Sequence, residues 1–405
     1  MSRRRDFLKA ASFGTAAALS TWRQVLGGSP KGEKNVANPG LRFRRLGRTG
    51  LDISEVSLGG SPLPEWPLFL ELIERGVNYI DSSVAYDNGN CERQIGRMLK
   101  SLGRDKAFVA TKFQLTENHW TEASIIKSAE GSLRRLQVET IDVLLVHGPE
   151  QPDQLTDDRV LGAFEKLKKA GVYRFNGFSC HINHAAMVRR AVECGKYDMI
   201  QLGYNVFDID QPEDKVQAYD DYLGESGLRG LISLAVSRGL GIIAMKTLKV
   251  GGRRQNLDAY RTGSAGLQQA MLKWVLEDKN VTSAITEILN RNQMDEDLGA
   301  MGSPLTAGER RMLFAHVAEN TADYCRGCGA CRSHCPSSIH TADILRALAY
   351  EESYGKTERG RELFIGSGGT AALAACRDCG TCERVCPYRI PVRRRLAAAA
   401  AVFTA

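Results

Sequence analysis

Eight short apolar runs, each followed by a longer stretch of mixed polarity, recur between residues 43 and 300. They are ISEVSLGG (53–60), VNYIDSS (77–83), AFVATKF (107–113), IDVLLVHG (141–148), VYRFNGFS (172–179), MIQLGYN (199–205), GIIAMKT (241–247) and VTSAIT (281–286). Runs of this length, rich in Val and Ile, read as buried strands. Helix-like segments lie between them, among them SIIKSAEGSLRRLQ (124–137), VLGAFEKLKKAG (160–171) and GLQQAMLKWVLED (266–278). Strand alternating with helix over about 250 residues predicts an α/β fold whose parallel strands close into a (β/α)8 TIM barrel. An open doubly wound sheet would favour G-x-G-x-x-G after its first strand. The first run carries none.

In such a barrel, chemistry sits at the C-terminal ends of the strands. Charged or polar residues inside apolar runs are therefore informative there. Asp81 ends the second run, Lys112 the third and His147 the fourth, and Tyr86 follows Asp81 by five residues. A buried Lys or Asp is costly unless paired, and at one barrel face these groups can satisfy each other. A neighbouring ammonium favours phenolate, so Lys112 is expected to lower the Tyr86 pKa while Asp81 holds Lys112 charged. Tyr86 is then the candidate general acid for a carbonyl oxygen.

At these residues the chain resembles the aldo/keto reductase family. The resemblance spans roughly residues 42–300 and rests on LGRTGLDISEVSLGG, YIDSSVAYDNGNCE, ATKF, LLVHGPE, GFS and QLGYN. It implies NADP(H)-linked reduction of an aldehyde or ketone, or the reverse, by a tetrad of Asp81, Tyr86, Lys112 and His147. Tyr86 would protonate the oxygen, Lys112 and Asp81 would tune it, and His147 would orient the carbonyl. Ser179 and Gln201 match positions that hold the nicotinamide amide. Met245 stands where many relatives stack an aromatic ring on it, and Gly251 and Gly252 would let backbone approach the pyrophosphate. The segment ITEILNRNQMDEDL (285–298) departs from the family's IPGMRNxxQxxEN. Glu287 replaces the Gly, Leu289 the Arg and Asp297 the Asn, with Arg291 nearby. An anion near a phosphate repels it, and losing an Arg removes a bidentate partner. The chemical end of the cofactor site is thus expected intact and its adenosine end eroded.

The last quarter of the chain repeats C-x2-C-x2-C-x3-C-P, as CRGCGACRSHCP (325–336) and CRDCGTCERVCP (376–387). Eight of the chain's 11 cysteines sit in these cassettes. Two structural zinc sites are the alternative, but a third Cys and a Cys-Pro end fit zinc poorly. In the bacterial two-cluster pattern the Cys before Pro ligates the other cluster. One 4Fe-4S cluster then takes Cys325, Cys328, Cys331 and Cys386, and the other takes Cys376, Cys379, Cys382 and Cys335. Cys91, Cys180 and Cys194 are left as ordinary small hydrophobes. Some aldo/keto reductases carry such a ferredoxin-like domain, which implies electron transfer with a redox partner. The spacer SSIHTADILRALAYEESYGKTERGRELF reads mostly as helix, as in helical two-cluster ferredoxins.

The N-terminus reads SRRRDFLKAASFGTAAALS and resembles a twin-arginine signal with its RRxFLK core. This predicts export through the twin-arginine machinery, to the periplasm or beyond. No apolar stretch is long enough to span a bilayer. Net charge is +7 and the basic residues are scattered. RRR at 393–395 lacks interleaved aromatics, which argues against nucleic acid. His181 and His184 follow the fifth run and could reach the pocket there, but are rather expected at the start of the next helix. The expected organisation is signal and linker at 1–40, barrel at 41–302 and connecting helix at 303–319. A mostly helical two-cluster ferredoxin-like domain at 320–395 and a tail at 396–405 complete it. Three functions fit this plan: a nicotinamide-dependent reductase with attached clusters, an exported Fe–S oxidoreductase working without free NAD(P)H, and a non-catalytic barrel module.

Overall fold

The computed structural model describes residues 40–115, 120–208, 228–248 and 266–404. The twin-arginine segment, Gly251 and Gly252 lie outside them. All eight predicted runs contain a strand of one closed parallel barrel. A hairpin, β1 (Phe43–Arg45) and β2 (Asp52–Ser54), precedes it. The barrel follows as β3 (Val56–Gly59), β4 (Tyr79–Asp81), β5 (Phe108–Gln114), β6 (Ile141–His147), β7 (Tyr173–Cys180), β8 (Met199–Gly203), β9 (Gly241–Met245) and β10 (Ser283–Thr286). Neighbours pair in chain order, and β10 closes on β3.

The first run, expected as one strand over 53–60, is two. Its first half pairs antiparallel with β1, Arg44 opposite Ile53. The break falls at Glu55, which is buried, binds Arg44 at 2.7 Å and accepts the Gly302 N–H at 2.8 Å. A lone hairpin is marginal in water. Here Leu46, Leu51 and Ile53 pack on Tyr79, Ala110, Val143, Leu145, Met199 and Ile243 inside the barrel. Each such burial is worth about 1.5–3 kcal/mol, so the hairpin is held by the barrel floor it plugs.

That interior layer also fixes the functional one. Strand side chains repeat every two residues. Two residues on from Tyr79, Ala110, Leu145, Met199 and Ile243 are Asp81, Lys112, His147, Gln201 and Met245. The layer above the apolar floor is therefore polar, and it lies at the strands' C-terminal ends.

Helix Ala307–Asn320 connects the barrel to the cassettes, slightly later than the expected 303–319. Thr306 and Glu309 form a capping box at its start. Its Met312, Leu313 and Val317 belong to the barrel's outer core. A second core, including Ile344, Leu345, Leu348, Phe364, Leu396 and Phe403, serves the cassette region. Helices Thr341–Tyr354 and Thr357–Gly366 occupy the spacer, as expected. Helix Val392–Phe403 runs unbroken across 395/396 because Leu396, Ala399 and Phe403 are buried, with the Phe403 ring 5.2 Å from that of Phe364. Arg393, Arg394 and Arg395 each meet an acid of this region: Glu383, Asp323 and Glu352. Among the described residues no helix is long and apolar enough to cross a membrane.

Candidate active site

Asp81 and Lys112 end up 3% and 1% exposed. A buried charge of either sign is tolerated only when paired. The Lys112 ammonium donates to both Asp81 carboxylate oxygens, at 2.6 and 2.7 Å, and to the Ser82 carbonyl at 2.7 Å. Its Nζ stands 3.4 Å from the Tyr86 hydroxyl. Tyr86 and His147 meet edge to face, centroids 5.8 Å apart. The four residues singled out from strand ends therefore converge.

The expected electrostatics are corrected in one respect. The Tyr86 phenol lies well above its usual value, not below it. Burial is the main cause and Asp81 adds to it. Lys112, held on Asp81, does not overcome these. The Lys112 ammonium is itself shifted down by burial, against the opposing pull of Asp81. Burial, then Lys112, pushes His147 well below its usual range, so the imidazole is neutral. The Ser83 oxygen accepts from the Ala85 N–H at 3.1 Å and lies 2.9 Å from His147 Nδ1. The Ser83 hydroxyl also lies 3.5 Å from the Lys112 carbonyl. The shorter contact favours donation to Nδ1, which assigns the ring proton to Nε2. The site thus holds two neutral donors, a phenol and an imidazole.

Ser179 and Gln201 are paired across β7 and β8. Both are buried, and Ser179 Oγ and Gln201 Oε1 have no hydrogen-bond partner. Orphaned buried polar atoms are costly, and an amide-bearing ligand would satisfy these. Gln201 Nε2 lies 3.8 Å from the Met245 sulfur, which places Met245 beside them. The nicotinamide end of the cofactor site fits the residues present. Among the described residues the adenosine end does not. Glu287 is ion-paired with Lys356 of the cassette region. Arg291, the cation of this segment, is 2.7 Å from Glu71 and exposed. Leu289 is exposed and Asp297 buried.

The cassette region docks on the barrel's C-terminal face. The Gly327 carbonyl accepts the Asn183 N–H at 2.7 Å. Gly327 has φ +71°, and a Cβ there would meet the His181 carbonyl oxygen at 2.7 Å. Only glycine suits both demands. Arg332 binds Glu150 at 2.6 Å, and Asn205 donates to the Tyr324 hydroxyl at 3.0 Å.

Cys325, Cys328, Cys331 and Cys386 line one small cavity together. Burial pushes the Cys328 thiol up to about 11 and the Cys331 thiol up to about 12, and mutual repulsion with Cys325 and Cys386 adds to both. Such crowding suits a cationic core that takes all four as thiolates. Sulfurs on one zinc at about 2.3 Å would stand roughly 3.8 Å apart. Among the described residues no three cysteine sulfurs lie within 4.8 Å of one another. Of the second set, Cys335, Cys376 and Cys382 pack against the same apolar core and Cys379 is exposed.

Residues 324–390 match the 4Fe-4S dicluster domain model, and residues 68–264 match that of the aldo/keto reductase family. The chain carries an aldo/keto reductase domain. Over 314 residues it is 26% identical to the uncharacterized oxidoreductase YqkF of Bacillus subtilis (strain 168), covering 69% of this chain and 98% of that one. An aldo-keto reductase of Bacillus halodurans, holo form, superposes with TM-score 0.54 at 24% identity, over 68% of this chain and 96% of its own. One from Klebsiella pneumoniae in complex with NADPH gives 0.53 at 21%, over 68% and 94%. The aldo/keto reductase homologues are oxidoreductases, and this chain is an oxidoreductase of that type.

Of the two histidines after the fifth run, one reaches the site, and Lys246 and Tyr350 near it escaped the sequence reading. His181 reaches the pocket, its ring 6.2 Å from that of His147, whereas His184 opens the next helix as expected. Lys246, directly after β9, donates to the Tyr350 hydroxyl at 2.5 Å. Lys246 follows an apolar run just as Lys112 sits in one, so the same signal was present. Burial would raise the Tyr350 phenol, but Lys246, then Arg346 and Arg359, outweigh it and bring it down to about 8. We expect a phenolate absorbance step with midpoint near 8, below the usual ~10. Tyr350→Phe should remove that step, and Lys246→Met should move it back upward.

Proposed function

We propose that the protein interconverts a carbonyl and an alcohol at the barrel mouth, with Tyr86 as proton donor, and exchanges electrons with two 4Fe-4S clusters in the docked domain. The closed contact of Asp81, Lys112, Tyr86 and His147 carries this reading. When bound, a reduced nicotinamide supplies a hydride to the carbonyl carbon, and the clusters supply or take single electrons. The chain does the rest. His147 Nε2–H and the Tyr86 hydroxyl hold the carbonyl oxygen. Tyr86 passes its proton to that oxygen as the carbon gains two electrons. The resulting phenolate lies beside Lys112, which Asp81 fixes in place. In the reverse direction Tyr86 takes the proton back. Ser179 and Gln201 are suited to the nicotinamide amide.

A second reading has its own observation. Glu287, where the family's pattern has Gly, is committed to Lys356. The dicluster domain thus engages the segment that would serve the adenosine half. This favours an enzyme whose barrel receives electrons through the clusters without free NAD(P)H. The RRxFLK motif supports it, because export of the folded protein would part it from the cytoplasmic nucleotide pool.

An anaerobic titration of the cluster-loaded protein with NADPH and with NADH separates the two. The first reading expects nicotinamide binding, seen by fluorescence, with bleaching of the clusters' visible absorbance. No binding of either nucleotide at millimolar concentration would leave the second.

A further inference from the structure

The dicluster domain does not close flat on the barrel. A small cavity of about 30 Å³, open to solvent on one side, remains between them. His181 links it to the tetrad, and Cys325 forms part of its far wall. Its other walls carry Lys246, Arg326 and Arg346, and among the described residues no Asp or Glu lines it.

The state of those three cations decides what the cavity can hold. Arg346 shares its charge with Asp343, at 2.8 Å. Arg326 is 5% exposed and spends its Nη1 on the Thr321 and Tyr324 carbonyls, at 3.0 and 2.8 Å. Those acceptors are neutral, and the anion beside it is the four-thiolate cluster site of Cys325, Cys328, Cys331 and Cys386, whose cavity Arg326 also lines. Its Nε is buried without a partner. Lys246 meets only the Tyr350 phenol. Among the described residues neither Lys246 nor Arg326 pairs with a carboxylate. Lys246 and Arg326, without a carboxylate partner, face a cavity that no described Asp or Glu lines. They set up a positive potential there that low dielectric strengthens and the cluster at Cys325 offsets only on its own side. The depressed His181 and His147 report the same field, with burial first and then Arg346 and Lys246 among the causes.

We propose that this cavity is the subsite for an anionic group on the substrate, a carboxylate or a phosphate ester. The substrate is then a small carbonyl or hydroxy compound bearing such a group, its reacting carbon at Tyr86 and its anion among Lys246, Arg326 and Arg346. This deepens the reading above and rests on it for the reacting end. The dicluster domain, through Arg326 and Arg346, supplies part of the barrel's substrate specificity. Charged hydrogen bonds of this kind leave a neutral analogue with unsatisfied donors, which discriminates strongly.

The test is calorimetry on the full cluster-loaded chain with pyruvate, with its neutral counterpart pyruvamide, and with inorganic phosphate. Pyruvate or phosphate is expected to bind at least about tenfold more tightly than pyruvamide, one factor of ten being ~1.4 kcal/mol. Preference for phosphate over pyruvate would make the group a phosphate ester, and the converse a carboxylate. Lys246→Gln should erase the preference while the cluster absorbance stays unchanged. Arg326→Gln is the second variant and should do the same. Equal binding of anion and amide, or no anion binding, would overturn the proposal. So would a preference that survives both substitutions, or an Arg326→Gln effect confined to cluster potential. Tyr86→Phe should leave phosphate binding intact. Anion binding without turnover would instead count against the catalytic reading and leave the subsite standing.

Discussion

Tyr86→Phe is expected to lower kcat by about 10²–10⁴-fold, the usual contribution of a positioned proton donor, with little change in substrate KM. The substitution removes one oxygen and leaves the ring that packs on His147. It leaves Lys112 with its three strongest acceptors, the two Asp81 oxygens and the Ser82 carbonyl. Lys112→Met would be a poorer test. It strands the Asp81 carboxylate in the interior, which costs about 3–5 kcal/mol, and lost activity would then be confused with lost folding. The pH dependence adds a second check. A phenol raised well above its usual value keeps its proton throughout the neutral range. Reduction should therefore be insensitive to Tyr86 ionisation there and fall only as pH rises toward that high value. Equal rates for wild type and Tyr86→Phe would leave a barrel whose tetrad is only a satisfied polar core.

The barrel was legible because its signal is repetitive. Eight runs of the right length and punctuation leave few alternatives, and a polar residue at the end of an apolar run is conspicuous. Asp81, Lys112 and His147 were found that way. The sign of the Tyr86 shift was not. It depends on how closely Lys112 sits on Asp81 and on how deep the phenol lies, and both are tertiary facts. The β1–β2 hairpin was missed because its second strand abuts β3 with only Glu55 between. The docking face was legible only in part. Ala342, Arg346, Ala349, Tyr350 and Tyr354 follow helical spacing and line the cavity, while Ile344, Leu345 and Leu348 of the same helix fill the second core. A helix with two occupied faces can be suspected from its period. Which face meets the barrel is set by the neighbouring domain, whose surface the helix sequence does not encode.

The cysteine assignment leads to the second large effect. If Cys386 crosses over to the first cassette's cluster, Cys386→Ala removes the same cluster as Cys328→Ala. Each variant should hold about four irons per chain where the wild type holds about eight. The decisive sample is the double variant. Two lesions in one unit are non-additive, so crossing predicts that the double also keeps about four. If each cassette instead closed on its own cluster, the double would lose both and hold almost none. The grouping of Cys325, Cys328, Cys331 and Cys386 around one cavity favours the first outcome. Crossing also has a mechanical consequence. It ties residue 331 to residue 386 around helices Thr341–Tyr354 and Thr357–Gly366, and a domain this small leans on such ties for stability. Either single variant should therefore melt the dicluster domain at lower temperature. It should also weaken Lys246–Tyr350 and Glu287–Lys356, because both contacts are carried by those two helices or the turn between them. A double variant that loses all its iron would refute the crossing, and with it the coupling of cluster loss to loosening of the barrel mouth.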